Sequence, residues 1–262
     1  MPWTIAVGGK GGVGKTTITG LIIRYLLEKG KTPILAVDAD ANPNLNEILG
    51  VTIDKTDGSL RTIGSLREEV LNEIKNLPLG VFKENYLEYK IQEAVIEEKG
   101  YDLLVMGRSE GPKCYCYANT VLRKYMDIIA SNYNYIVMDN AAGLEHLSRG
   151  TTRDVDVLFI ISDPTIRGIR TAGRIKQLVH ELKLSIEKVF LIVNRVKNGL
   201  DEGLLNEIKN QQLELAGTIP EDSQVFDEDV RCSPIFALPK ENKAFEAVGK
   251  ILERQIQTVS IK

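Results

Sequence analysis

Short runs of consecutive apolar residues recur along the chain, and segments with apolar residues every three or four positions lie between them. An unbroken apolar run is typical of a strand that is buried on both faces of a sheet. The runs predict a mainly parallel sheet, because strands covered on both faces occur mostly in sheets of that kind. They are Thr4–Val7, Ile34–Val37, Leu103–Met106, Tyr135–Met138, Val157–Ile161 and Val189–Val193.

The segments between the runs have helical spacing. Apolar residues three and four positions apart predict helices over Thr17–Lys29, Arg167–Leu182 and Asn242–Gln257, and Gly30 ends the first of them. A strand followed by a helix, repeated along the chain, predicts a doubly wound α/β fold with helices on both faces of the sheet.

A charge-rich region covers residues 54–99 and contains helical patterns around Leu60–Ile74 and Leu87–Glu97. We interpret these patterns as surface helices whose polar faces are solvated. No Pro-, Gly- or Ser-rich linker divides the chain, and 262 residues of which 43% are apolar can bury one large core. We therefore predict a single domain over residues 1–262.

The charge balance argues against nucleic acid as a partner, and the short length of the apolar runs argues against a membrane. The chain has 33 basic and 36 acidic residues, well mixed, and a net charge of −3, so it has no basic field for nonspecific nucleic-acid binding. No apolar run approaches the roughly 18 residues of a membrane span, and no signal peptide is recognisable. We expect a cytoplasmic protein that binds neither nucleic acid nor a membrane.

A glycine-rich stretch with two lysines follows the first predicted strand, and the first predicted helix begins within it. It contains the pattern G-x-x-x-x-G-K-T, in which backbone N–H groups surround phosphates, Lys15 adds a charge and the Thr16 hydroxyl suits Mg²⁺. The sequence therefore predicts a site for MgATP or MgADP. Its candidate nucleotide contacts are Gly9, Lys10, Gly11, Gly12, Val13, Gly14, Lys15, Thr16 and Thr17.

Lys10 adds information, because a loop that already holds Lys15 has little need of a second lysine for its own phosphates. The stretch K-G-G-V-G-K-T resembles the deviant Walker A loop of the ATPase family that includes septum-positioning and plasmid-partition ATPases, the nitrogenase iron protein and the arsenite-pump ATPase. The resemblance implies a homodimer in which Lys10 reaches the partner's phosphates, much as an arginine finger does. A solvated surface lysine is the alternative.

Aspartates follow two predicted strands. Asp38 and Asp40 end the second strand, and the resemblance to switch I implies that Asp40 activates the attacking water while Asp38 supports the magnesium or the loop. Asp139 ends a later strand and resembles the switch II aspartate that holds the magnesium shell. Helix capping is the alternative reading for Asp38 and Asp40, and a plain turn is the alternative for Asp139.

Two further segments resemble the adenine site of the same family. Asn194 and Arg195 stand at the end of a predicted strand, where the family has a base-recognising asparagine. Pro220 and Glu221 resemble the backbone loop that lies over the base. The alternatives are an ordinary core strand and an ordinary turn.

Cys114 and Cys116 are separated by one residue and follow the predicted strand Leu103–Met106. A disulfide between them is sterically awkward, whereas a two-fold dimer would bring four thiolates together. Four thiolates suit tetrahedral Zn²⁺ or square-planar Ni²⁺, so we predict a shared metal site; incidental cysteines are the alternative. Cys232 is predicted to be a small buried side chain.

Within the family, a deviant Walker loop with this C-x-C pair resembles the accessory ATPase for nickel insertion into carbon monoxide dehydrogenase, the CooC type. The resemblance implies a homodimeric MgATP-hydrolysing maturation factor with that nickel–iron–sulfur enzyme as its client. A partition or septum-positioning ATPase and an iron–sulfur electron-transfer ATPase are the alternatives. Asn140-Ala141-Ala142 occupies the place of the iron protein's second cluster cysteine, which disfavours a cluster of the reductase type.

Overall fold

The structure is a computed structural model that describes residues 2–51, 62–66, 83–107, 128–142 and 154–259. These residues form an eight-stranded sheet in the order β3-β4-β2-β5-β1-β6-β7-β8. The strands are β1 (Trp3–Gly9), β2 (Ile34–Ala39), β3 (Ile96–Glu98), β4 (Tyr101–Val105), β5 (Tyr135–Asn140), β6 (Asp154–Ser162), β7 (Ser185–Val196) and β8 (Leu215–Pro220).

The sheet is mainly parallel, as the apolar runs predict. β1 lies in the interior of the sheet and pairs in parallel with β5 and β6, while β2 pairs in parallel with β4 and β5. The other parallel pairs are β6 with β7 and β7 with β8. β3 pairs with β4 in the antiparallel direction at one edge. Each of the six predicted strands is confirmed.

Seven helices have bounds that lie within the described residues. They are α1 (Lys15–Glu28), α2 (Leu45–Leu49), α3 (Lys83–Gln92), α4 (Ile166–Glu181), α5 (Glu202–Asn210), α6 (Ser223–Val230) and α7 (Lys243–Val259). A short 3₁₀ helix, Ile235–Ala237, precedes α7. α1, α4 and α7 confirm the three predicted helices to within two residues at each end.

The side chains of the strands alternate between two apolar cores, one on each face of the sheet. Ile5 and Val7 of β1 belong to the core that includes α1 and α7, whereas Ala6 belongs to the core that includes α4 and α5. Because successive side chains of a strand point to opposite faces, an unbroken apolar run supplies both cores. This arrangement is the doubly wound α/β fold that the sequence predicts.

The helical pattern around Leu87–Glu97 is confirmed in part, because a helix is present but does not extend to Glu97. The helix in this region ends at Gln92, and Ile96–Glu98 forms the edge strand β3 instead. Ile91 is fully buried, so this segment also contributes to the core. A three-residue strand with two glutamates has no apolar run, and β8 contains a glycine, so neither strand is detected from hydrophobic pattern alone.

The parallel strands place their carboxyl ends at one edge of the sheet, which is where ligands bind in open α/β folds. The glycine-rich loop follows β1 at this edge, and the residues after β2, β5 and β7 lie beside it. Within the ranges that the structure describes, no helix is both long and apolar enough to cross a membrane.

Gly9 provides a test of the packing at this edge. Its φ is 149°, and a Cβ added to it would overlap the backbone carbonyl oxygen of Ile161 on β6. We expect Gly9→Ala to lower the free energy of unfolding by about 1–3 kcal/mol, since both strain and overlap oppose it. Urea unfolding of the nucleotide-free protein measures this change.

Gly11→Ala is the matched control for Gly9→Ala. A Cβ at Gly11 meets nothing within 4 Å, although the residue lies in the same loop. It should therefore alter the free energy of unfolding by no more than about 0.5 kcal/mol. Equal effects of the two substitutions would contradict the close approach of β1 and β6.

Candidate nucleotide-binding site

The glycine-rich loop joins β1 directly to the first turn of α1. Gly12 and Gly14 have φ values of 78° and 92°, which glycine adopts without the strain that a side chain would cause. A Cβ on Gly14 would stand 2.6 Å from the Nδ2 atom of Asn194. The backbone N–H groups at the start of α1 have no helical partner and are available to an anion.

The two lysines of the loop occupy different environments. The side chain of Lys15 is largely buried, and its Nζ donates a hydrogen bond to the carbonyl oxygen of Lys10 at 3.3 Å. Lys10 itself is exposed. Lys15 is therefore held within the loop, whereas the Lys10 side chain lies on the surface of the molecule.

Two buried carboxylates lie side by side next to the loop. Asp38 of β2 and Asp139 of β5 are paired in register, and they are 0% and 2% exposed. Burial raises the pKa of Asp139 to about 7, and the negative charge of Asp38 adds to the increase. A hydrogen bond from Thr16 and the positive charge of Lys15 act in the opposite direction on this pKa.

Asp38 organises the turn that follows β2. One carboxylate oxygen accepts a hydrogen bond from the backbone N–H of Asp40, and the other accepts from Asn44 and Leu45 at the start of α2. Burial raises the pKa of Asp38 despite these donors. Asp38 therefore holds the turn and the start of α2 through their backbone N–H groups.

Asp40 is half-exposed at the entrance to the crevice. Its carboxylate accepts a hydrogen bond from the backbone N–H of Asn42 at 2.9 Å. Its negative charge also raises the pKa of Asp139, so Asp38, Asp40 and Asp139 share one electrostatic environment.

The oxygen atoms beside the loop suit magnesium. Mg²⁺ prefers oxygen ligands, and it is usually held by one or two protein groups together with the phosphates of its nucleotide. The Thr16 hydroxyl and the Asp139 carboxylate already share a hydrogen bond, so both can face one cation. The described part of the chain contains no group of three or more His, Cys, Asp or Glu side chains placed to hold a metal ion.

Two polar residues of this region were missed by sequence reasoning. Thr19 is fully buried, and its hydroxyl lies 2.9 Å from the Lys15 carbonyl and 3.4 Å from a carboxylate oxygen of Asp139. Asn140 is buried, and its Nδ2 donates to the Val7 carbonyl, while its Oδ1 has no hydrogen-bond partner among the described residues. Neither residue belongs to the glycine-loop motif; Asn140 directly follows Asp139 in sequence, whereas only three-dimensional proximity places Thr19 beside Asp139.

A cavity of about 690 Å³ opens beside the start of α1. Asn194 and Arg195 of β7 line it, and so do Pro220 and Glu221 at the end of β8. The volume is in the range of small-molecule sites. The structure thus brings the two segments proposed for the adenine site together with Gly14 and Thr17 of the loop.

Asn194 and Arg195 also contact the backbone of the loop. The Nδ2 of Asn194 donates to the carbonyl of Val13 at 2.9 Å, and the guanidinium of Arg195 donates to that of Gly12 at 3.2 Å. Arg195 has a positive φ of 59° and lies where the register between β7 and β8 shifts, between Val193 and Val196. These contacts tie the loop to the cavity.

The cysteine pair Cys114 and Cys116 lies outside the described residues. Cys232 follows α6 and is exposed, so the prediction that it is buried is wrong. It stands at a turn with a φ of 52°, and a turn of this kind lies on the surface of the protein.

A known protein family matches the part of the chain that contains this site. The model of the CobQ/CobB/MinD/ParA nucleotide binding domain matches residues 4–235, which include the loop, the three aspartates and all of the cavity lining except Ala244. The chain belongs to this family. It is therefore an ATP-binding ATPase of the MinD/ParA type, and the predicted resemblance is confirmed.

The chain is also similar to individual ATP-binding proteins over nearly its full length. The uncharacterized ATP-binding protein MJ0685 of Methanocaldococcus jannaschii is 44% identical over 254 residues, which cover 96% of this chain and 98% of the relative. The carbon monoxide dehydrogenase accessory protein CooC of Rhodospirillum rubrum is 29% identical, covering 95% and 96%. The structure of the MinD cell division protein of Aquifex aeolicus is 26% identical with a TM-score of 0.67, covering 97% of each chain.

The buried carboxyl of Asp139 generates a pH-dependent prediction for the MinD/ParA-type site. A raised pKa means that the folded state loses stability as the pH rises toward about 7, because the carboxyl ionises readily in the unfolded chain but not while it is buried. A pKa difference of one between the two states corresponds to about 1.4 kcal/mol. Asp139→Asn removes this ionisation, so it should stabilise the nucleotide-free protein more at pH 7 than at pH 4.

Urea unfolding of both proteins at several pH values, without nucleotide or Mg²⁺, measures the difference. The two free energies should diverge between pH 4 and pH 7. A difference that stays constant over this range would contradict the raised pKa of Asp139.

Proposed function

We propose that this ATPase is a homodimeric, MgATP-hydrolysing maturation factor that assists nickel insertion into carbon monoxide dehydrogenase. The observation that carries the proposal is the similarity to the CooC accessory protein over nearly the full length of both chains. The sequence adds a C-x-C pair, Cys114 and Cys116, to which we assign the thiolate site for the metal.

In this proposal the loop and Lys15 bind the phosphates, and Thr16 and Asp139 hold the magnesium that a bound nucleotide brings. When bound, that cation would balance the buried charge of Asp38 and Asp139 and draw electron density from the phosphate oxygens. Asp40 positions and activates water, which its partial exposure at the entrance to the crevice supports.

The base of ATP occupies the cavity of about 690 Å³ next to the loop. Asn194 supports a preference for adenine. Its Nδ2 donates to Val13 and the residue lines the cavity, so we assign the acceptor Oδ1 of its amide to the base. Adenine carries an amino group that can donate to this oxygen, whereas guanine carries a carbonyl at the same position.

Lys10 acts across the dimer. Its side chain is exposed, and only its carbonyl oxygen is used by the loop, as the acceptor for Lys15. A lysine whose side chain extends from the loop into solvent can approach the phosphates of a second copy. The homodimer is thus part of the catalytic proposal.

The two lysines should give different defects. Lys15→Ala should raise the Kd for MgATP by about 10-fold or more, because the substitution removes the ammonium group that binds the phosphates. Lys10→Ala should bind MgATP normally and reduce kcat by about 100-fold or more, by analogy with loss of an arginine finger. Calorimetric titration and steady-state phosphate release measure the two quantities.

Lys99→Ala is a suitable control, because Lys99 is exposed and lies just before β4. The amino ends of the parallel strands are opposite to the carboxyl ends where the loop lies. It should leave both quantities unchanged. Equal losses of MgATP affinity in Lys10→Ala and Lys15→Ala would remove the role of Lys10 across the dimer.

The cysteine pair generates the test of the metal role. We expect one Ni²⁺ or Zn²⁺ per two chains, held by Cys114 and Cys116 of each, because two thiolates leave a four-coordinate ion half-satisfied. A metal bound only by the dimer must also favour association. Metal analysis of anaerobically purified protein and equilibrium sedimentation with titrated metal test both statements.

Cys114→Ala and Cys116→Ala should each abolish the bound metal and the metal-dependent association while MgATP binding persists. Cys232→Ala is the matched control, since Cys232 is an exposed cysteine outside the pair, and it should retain the metal. One metal per chain, or association indifferent to metal, would exclude the shared site.

A partition or septum-positioning role is the second candidate, and the similarity to the MinD structure of Aquifex aeolicus supports it. ATP-dependent pelleting with liposomes or DNA would favour that role over metal delivery. An iron–sulfur absorption band in anaerobically purified protein would instead favour an electron-transfer ATPase.

A further inference from the structure

α6 is an unusual helix because none of its eight residues is buried. Two of its side chains are large and apolar, and they are spaced four residues apart on one face. Phe226 is 66% exposed and Val230 is 67% exposed. Burying a side chain of this size is favourable, so an exposed phenylalanine next to a cavity is a candidate contact for a bound molecule.

The start of α6 is fixed firmly although its apolar face is open. The carboxylate of Asp222 caps the helix by accepting hydrogen bonds from the backbone N–H groups of Gln224 and Val225. Asn242 is 1% exposed, and its Nδ2 donates to the other carboxylate oxygen of Asp222 at 3.0 Å. Its Oδ1 accepts from the backbone N–H of Phe245 in α7. Phe226, one turn into the helix, is therefore presented by an anchored backbone.

Phe226 and Val230 differ in one respect. Phe226 lines the cavity of about 690 Å³ together with Asn194 and Pro220, whereas Val230 is not among the described residues of its lining. The cavity thus has a polar wall at Asn194 and an aromatic ring at Phe226. A flat, partly polar molecule such as a nucleobase matches both walls.

We propose that Phe226 covers the base of the bound nucleotide by stacking on it. The inference rests on the proposed adenine cavity and adds a residue that the motifs do not mark. Stacking accepts the face of any purine, so it supplies affinity without selecting between purines. Selection between adenine and guanine belongs to the amide of Asn194 at the other wall. Phe226 and Asn194 therefore divide affinity and selectivity between them.

This division makes a specific prediction about ligands. Phe226→Ala should raise the Kd for MgADP by about 5- to 160-fold, which is the range typical of removing an aromatic side chain that stacks on a base. It should raise the Kd for MgGDP by a similar factor, so the ratio of the two constants stays the same. Inorganic tripolyphosphate has no base, and its Kd should not change.

Calorimetric titration of the full-length protein with MgADP, MgGDP and tripolyphosphate tests the proposal. Val230→Ala is the matched control, because it shortens an equally exposed apolar side chain on the same helix and should leave all three constants unchanged. Phe226→Trp keeps a stacking ring, so it should retain the affinity for MgADP and show a change in tryptophan fluorescence when MgADP binds.

The outcomes separate this inference from the function on which it rests. Failure of the unaltered protein to bind MgADP would overturn the nucleotide site itself. If the unaltered protein binds and Phe226→Ala binds equally well, only the role of Phe226 is overturned. An equal loss of affinity for tripolyphosphate would also overturn it, because the effect would then come from the loop. A defect in association of the chains in Phe226→Ala, with unchanged MgADP affinity, would assign the ring to an interface instead.

Discussion

The close approach of the glycine-rich loop to the strands beside it is the constraint on which the site depends. Gly9 lies against the backbone of Ile161 on β6, and Gly14 lies against the side chain of Asn194 on β7. Because these contacts leave no space for a side chain, the loop backbone is held between its neighbours. The start of α1, where backbone N–H groups lack helical partners and can bind an anion, is therefore held in place.

The loop lies next to two buried carboxyl groups whose ionisation is unfavourable in the nucleotide-free protein. Asp38 and Asp139 are buried in register on adjacent strands, and burial raises the pKa of each. A carboxylate pair of this kind is unfavourable in the nucleotide-free protein, and a bound cation reverses the effect. The carboxylate pair thus lowers the free energy of unfolding of the nucleotide-free protein, and binding of a cation with its nucleotide would raise it again.

The other half of the site is formed by residues that come late in the chain. Asn194 and Arg195 bind carbonyl groups of the loop, and the α6 segment stands over the same cavity. The proposed base site thus contacts the loop through Asn194 and α6 through Phe226.

The sequence by itself determined the fold class, six of the strands, three helices and the identity of the phosphate loop. These follow from local rules, namely apolar runs, helical spacing and a glycine pattern between a strand and a helix. Tertiary structure alone decided that Ile96–Glu98 is an edge strand and that Cys232 is exposed. It also placed Thr19 beside Asp139 and Phe226 on the wall of the cavity. Such placements depend on which distant segments pack together, and no local pattern encodes that information.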